Sequence, residues 1–376
     1  MDEFVFLLPR PDWQPDEQSS FCNRCHTYFS LFLRKHHCRH CGLVYCHLCC
    51  SRKTPLRQLG YLEQVKVCES CFELAYLISY VLNYESKTTQ LHGARGLYEI
   101  LVKHDEDQMK TLIQNGGFEA FIFLSQRSLS PDIHLLSMMA LRYLLENDDL
   151  VAFISEKKSA QRYEHTFSIL VKSITAILEG YMLVPEVKEE EFGARCIRRI
   201  IFNAVLTGSR LVFLLAPYPH LNELILKSKW LYLFLDALEQ AVDDCGFTLP
   251  PGPNLDSELQ VSASSVFQKS FYSRAFSTQT LLKTRSTNNS TASDDLWIDA
   301  LELQVVASGT ICMLSSLASK EESVRFNSFE VKTRIANLIS RYPNPSEPES
   351  FHFQPSVSIA LDNLNHTLKI LDANSF

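Results

Sequence analysis

Nine of the twelve cysteines lie between Cys22 and Cys71, and eight of them fall into four pairs of one spacing. These are Cys22-x2-Cys25, Cys38-x2-Cys41, Cys46-x2-Cys49 and Cys68-x2-Cys71. Two thiolates at that spacing can sit on one tetrahedral zinc ion with Zn–S distances near ~2.3 Å. Eight thiolates therefore fill two closed sites. Two Zn2+ ions are expected, and their role is structural because no ligand position remains for a substrate. Segments of 12, 4 and 18 residues separate the pairs, so spacing alone allows both sequential and interleaved pairing. Cys50 is the ninth cysteine; only Cys46 and Cys49 keep the pair spacing, which leaves Cys50 spare.

The second group with chemistry is "LRKHHCRHCG" at 33–42, where six of ten residues are Arg, Lys or His. Zinc ligation at Cys38 and Cys41 fixes the backbone on both sides, so these cations need no apolar core of their own. The whole chain carries a formal charge of −7. Residues 10–75 hold nine Lys/Arg against six Asp/Glu, a local +3, so the remainder carries −10. A basic patch on an acidic protein indicates one anionic ligand at one site, and no nucleic acid is expected.

"RKHHCRHCG" resembles the R-[RK]-H-H-C-R-x-C-G signature of FYVE fingers. Trp13-Gln14-Pro15-Asp16 matches the upstream W-x-x-D of that family, and Val67-Cys68 the end of its R-V-C motif. The stretch "PLRQLGYLEQVKVCESCF" is most similar to fingers of the Hrs endosomal-sorting type. The resemblance covers roughly residues 10–75. It implies binding of phosphatidylinositol 3-phosphate on endosomes. It also implies interleaved zinc sites, with Cys22, Cys25, Cys46 and Cys49 on the first ion and Cys38, Cys41, Cys68 and Cys71 on the second. By position, Arg34, Lys35, His36, His37 and Arg39 form the basic pocket, and Asp16 accepts hydrogen bonds from inositol hydroxyls. Such cations suit a phosphomonoester, which carries nearly two charges and several acceptor lone pairs. A carboxylate among them repels further ring phosphates. One position departs from the family: Lys66 stands where it has Arg, keeping the charge but losing the bidentate fork.

These groups must be positioned by a small module. About 60 residues bury too little apolar area to be stable alone, and metal supplies the difference. The implied fold is a small two-zinc finger of short β-hairpins plus a C-terminal helix. Leu31-Phe32-Leu33 directly precedes the basic run. It reads either as a buried strand or, following the family, as an exposed loop in which Leu31 and Phe32 enter the bilayer. An apolar tip beside a basic collar is what an interfacial anchor on anionic lipid requires.

Beyond Cys71 the periodicity becomes helical. Residues 76–87 are expected to be a helical linker, and 88–376 an all-α armadillo/HEAT-like repeat domain. Gly116-Gly117 marks a break, Ser130-Pro131 a helix start, and "SPDIHLLSMMALRYLLENDDLVAFI" one long helix. "LLENDDLVAFI" and "AVLTGSRLVFLL" look like copies of a helix end, a polar turn and a new helix, as does "SGTICMLSSLASKEESV". Leu150 and Leu211 are sixty-one residues apart, a longer period than such repeats usually show. Residues 250–295, rich in Ser and Thr, are expected to be a disordered insertion and a phosphorylation target. "HGARG" and "NGGF" are read as helix-turn glycines, and Cys196, Cys245 and Cys312 as core residues.

The opening "MDEFVFLLPRPDW" is acidic, with an apolar run only from Phe4 to Leu8, so a cytoplasmic chain without a secretory signal is expected. No stretch of about 18 uncharged apolar residues is present, so any membrane contact should be peripheral. No P-loop, G-x-S-x-G, H-E-x-x-H or dinucleotide fingerprint occurs, so an enzyme is not expected. The sequence is read as a peripheral adaptor on the endosome or vacuole surface, with phosphatidylinositol 3-phosphate bound by the finger. An unidentified protein is bound by the helical part, with self-association left open. The alternative is a RING-like ubiquitin ligase, whose two-zinc scaffold is also interleaved. RING fingers, however, usually include a His ligand.

Overall fold

A computed structural model describes residues 7–83, 85–103, 105–127, 130–157, 160–182, 191–216, 218–245, 292–318, 328–342 and 355–373. They fall into two compact units, Met1–Ser173 and Ile174–Phe376.

The first unit begins with two small antiparallel hairpins. Strand β1 (His36–His37) pairs with β2 (Val44–Tyr45), and β3 (Arg52–Leu56) with β4 (Tyr61–Val67). The β1–β2 turn is the Cys38–Cys41 knuckle, and Cys46 and Cys49 follow β2 directly. Val44, Leu56, Leu59, Val67 and Ala75 are buried, and all but Val44 pack directly with the cysteines into a core of modest size. Helix α1 (Glu69–Val81) starts inside the last cysteine pair, so Cys71 lies in its first turn.

Helices α2 (Lys87–Val102), α3 (Glu106–Gln114), α4 (Gly117–Arg127), α5 (Pro131–Glu146) and α6 (Asp148–Lys157) follow. The α3–α4 break falls at Gly116, whose φ of 91° suits only glycine, and α5 starts at Pro131 after Ser130, as the sequence indicates. The stretch read as one long helix is in fact two. Asn147 adopts an extended conformation, and its side chain accepts from the Leu150 N–H, capping α6.

The glycines of "HGARG" are not turn residues. Gly93 and Gly96 lie in the middle of α2 and face α1. A Cβ on Gly93 would stand 2.7 Å from the Leu77 carbonyl oxygen and 2.8 Å from the Val81 nitrogen, and one on Gly96 2.5 Å from a Leu77 methyl. Helix α1, which carries a zinc ligand, is thus seated directly on α2. Gln90 Nε2, fully buried, donates to the Val81 carbonyl at the end of α1.

Helix α7 (Ala160–Met182) runs through the division between the units. The second contains α8 (Glu191–Leu215), α9 (Pro219–Lys227), α10 (Trp230–Cys245), α11 (Ala292–Ala318), α12 (Ser328–Arg341) and α13 (Pro355–Ala373). Helix α11 packs against α8, α10 and α13. Its segment Ala300–Ala318 is long and apolar enough to cross a bilayer, but 67% of it is buried inside the protein. Its polar groups are tied to neighbouring helices: Gln304 to the Ala241 carbonyl and Tyr342, Ser308 to Asn363, Thr310 to Ser209. A core helix makes such bonds.

The second repeat copy fails. "AVLTGSRLVFLL" lies within the unbroken helix α8, because Thr207 and Ser209 bond back to the Asn203 and Val205 carbonyls instead of starting a turn. "SGTICMLSSLA" is likewise the continuous end of α11. Cys196 and Cys312 are half-buried rather than core, while the side chain of Cys245 lies outside the described residues. The expected insertion at 250–295 also lies outside them, except for 292–295 in the first turn of α11.

Candidate zinc centres and anion-binding surface

The eight paired cysteines converge in two groups, Cys22/Cys25/Cys46/Cys49 and Cys38/Cys41/Cys68/Cys71, with all ligand atoms in each within 4.8 Å of one another. Four sulfurs around one zinc at ~2.3 Å should stand about 3.8 Å apart on a tetrahedron. Cys25 Sγ and Cys46 Sγ are 3.8 Å apart. The donor set therefore fits zinc, and the pairing is the interleaved one. Each site joins two segments distant in sequence, so the metals cross-brace a fold with little core. Both groups consist of cysteine alone, without the His ligand usual in RING fingers. Cys50 belongs to neither; it is fully buried, and burial pushes its thiol up to about 11, so it stays protonated.

The second centre holds the upstream segment in place. Gln14 N–H donates to the Gly42 carbonyl at 3.1 Å, next to Cys41. Gly42 has φ 76°, and a Cβ there would meet the Asp12 carbonyl oxygen at 2.2 Å, so only glycine lets the two chain segments meet. Gln14 Oε1 accepts from Asn23 and from the Val44 N–H. Trp13 and Asp16 are thereby carried to the basic run.

Trp13 stacks on His37 with ring centroids 4.4 Å apart, and the Arg39 guanidinium lies over the indole at 5.1 Å. His37 Nε2 donates to the Gln14 carbonyl at 2.8 Å and stands 3.9 Å from the Asp16 carboxylate. Lys35 Nζ donates to the Asp16 main-chain carbonyl. Asp16, Lys35, His37 and Arg39 are therefore brought together, with the Asp16 carboxylate largely exposed. His36 points the other way from β1, where its Nδ1 accepts from Lys66 Nζ at 3.2 Å. Burial, then Lys66, His47, Arg39 and Arg34, hold the His36 imidazole below its usual range. Arg39 connects the two groups: its main-chain N–H donates to the Lys66 carbonyl and its guanidinium to the His37 carbonyl. Arg34 contributes charge without a side-chain partner among the described residues. His40, also in the run, is buried and takes no part in this surface. The sequence reading counted Trp13 only as a motif match; its ring is in contact with both His37 and Arg39.

Leu31 and Phe32 are 92% and 96% exposed, on a loop closed by Ser30–Leu33 hydrogen bonds, and Leu33 turns inward. The triplet is not a buried strand.

A cross-braced two-zinc finger with a cationic surface is the class that these features define. Residues 12–76 match the FYVE zinc finger family, and this part of the chain is a FYVE zinc finger. The chain is 47% identical over 66 residues to Arrestin domain-containing protein A of Dictyostelium discoideum, covering 18% of this chain and 11% of that protein. It is 43% identical over 70 residues to a Lateral signaling target protein 2 homolog of Brugia malayi, covering 17% of this chain and 11% of that protein. The chain thus spans about a tenth of the length of these curated relatives. No solved structure matches.

Proposed function

We propose that this protein is a non-enzymatic peripheral membrane adaptor that reads phosphatidylinositol 3-phosphate. Its finger engages the head group through Asp16, Arg34, Lys35, His36, His37, Arg39 and Lys66, and lowers Leu31 and Phe32 into the bilayer at the endosomal or vacuolar surface. The helical units, of armadillo/HEAT type, hold a protein partner. The observation that carries this reading is the juxtaposition of two fully presented apolar side chains with a cationic surface. Among the described residues, Arg34, Arg39 and Lys66 have no carboxylate within ion-pair distance. An anionic lipid supplies both missing surroundings at once.

The test is co-sedimentation with liposomes of phosphatidylcholine and phosphatidylserine, with and without phosphatidylinositol 3-phosphate. Arg39→Ala should abolish the phosphoinositide-dependent part while two zinc ions remain bound. Undiminished binding would reduce the basic run to scaffold. Autoubiquitination in a parallel assay would favour the RING reading instead.

A further inference from the structure

Lys53 was not among the head-group residues read from the sequence. The register of the second hairpin places its Cα directly opposite that of Lys66. Thr54 and Val67, on either side of this pair, are buried, so Lys53 and Lys66 share the outward face. Side chains directly opposed across an antiparallel pair have Cβ atoms about 4.5–5.5 Å apart, and like charges there destabilise the sheet. Lys66 in turn contacts His36. The cations therefore continue past Lys66 in the order His36, Lys66, Lys53.

The neighbouring Arg52 makes the contrast. It pairs with Glu69 and lies over the Phe72 ring at 4.9 Å, so its charge is accounted for within the fold. Lys53 and Lys66 have no carboxylate in reach among the described residues. A lone ammonium cannot grip two oxygens of a phosphate as a guanidinium does. Two ammoniums facing each other across a ladder can each donate to a different oxygen of one phosphomonoester.

We propose that Lys53 is a head-group-binding residue, forming with Lys66 a two-lysine clamp on the phosphomonoester. This rests on the proposed lipid-binding function and adds a residue to its site. The clamp offsets the like-charge repulsion in the ligand-free hairpin by placing a dianion between the two ammoniums.

The experiment uses the full chain and two probes, a water-soluble short-chain phosphatidylinositol 3-phosphate and vesicles containing the long-chain lipid. Lys53→Ala should weaken binding to both by about fivefold, the upper range for a single exposed ion pair. Lys53→Arg should restore it, and zinc should stay at two per chain in both variants. Unchanged affinity of Lys53→Ala for the short-chain lipid overturns the clamp. So does a loss seen equally on phosphatidylserine vesicles lacking the phosphoinositide, since that reports only attraction to a charged surface. A wild-type chain that binds neither probe overturns the proposed function as well, so the two failures are distinguishable.

Discussion

Gly93→Ala is a methyl-sized perturbation at the junction between the finger and the helices behind it. In an open helix, Gly to Ala is favourable by about 1 kcal/mol, because alanine loses less backbone freedom. At Gly93 the new methyl would sit 2.7 Å from the Leu77 oxygen and 2.8 Å from the Val81 nitrogen. Both are backbone atoms of α1, so no rotamer change relieves the clash and the helix itself must back away. Overpacking of this kind costs about 1–3 kcal/mol, and the net expectation is a loss of up to about 2 kcal/mol. Gly96→Ala should cost less, since its closest obstacle is a Leu77 methyl that can move. Among the described residues, a Cβ on Gly180 would meet nothing within 4 Å, so Gly180→Ala should be neutral or stabilising.

The assay is hydrogen exchange of the α1 and α2 amides together with urea denaturation. The expected order of stability is Gly180→Ala, then Gly96→Ala, then Gly93→Ala. Zinc content should not change, because binding of a structural zinc contributes roughly 10 kcal/mol or more, well above the packing loss. A Gly93→Ala protein as stable as Gly180→Ala, with unaltered exchange in α1, would refute the close seating of α1 on α2.

Elemental analysis should give two zinc ions per chain, and still two in Cys50→Ser, whereas Cys38→Ser should lose at least one. Leu31→Glu with Phe32→Glu should abolish vesicle binding, since each side chain contributes about 1.5–3 kcal/mol on burial, yet leave short-chain lipid binding within about twofold of wild type. Lys66→Arg should bind as well as wild type or better; a large loss would mean that the Lys66–His36 contact, rather than charge, is what matters. Burial pushes the His134 imidazole down to about 4, so α5 is most stable where His134 is neutral. That stability is complete above about pH 6.5 and falls by about 2 kcal/mol by pH 5. Faster exchange of residues 131–146 at pH 5, reduced in His134→Gln, would bear this out, and a flat response would count against it.

The finger was readable because its determinants are local. A tetrahedral ion imposes a narrow spacing on Cys-x2-Cys, so ligand identity follows from sequence. Which pairs share an ion does not, because Cys25 and Cys46 meet only through the fold. Trp13 and Lys53 escaped for a similar reason: the first acts through stacking on His37, the second through a register with Lys66. In the helical part, helix type was legible and breaks were not always. The break at Asn147 falls at the polar turn read in "LLENDDLVAFI", and there the Asn147 side chain caps the next helix, although periodicity alone runs through it. Thr207 and Ser209 suggest a turn but bond within their own helix. Gly93 and Gly96 look the same in sequence as turn glycines, and only the approach of α1 distinguishes them.

Rigid seating bears on what the first unit does at a membrane. The loop bearing Leu31 and Phe32 leads by way of β1 into Cys38, whose zinc site includes Cys71 in the first turn of α1. Helix α1 then meets α2 at backbone contact distance, with the Gln90 bond closing its end. Among the described residues, the connections in this series are a metal bridge, short turns and glycine contacts. A finger on a long tether would leave its helices free to tumble above the lipid. On the proposed lipid-binding reading, a loop held by the bilayer would pass its orientation on to α2, so the unit should present one fixed face away from the bilayer. For the proposed protein partner, that would lower the entropy lost on docking, because the bilayer would already impose part of the ordering.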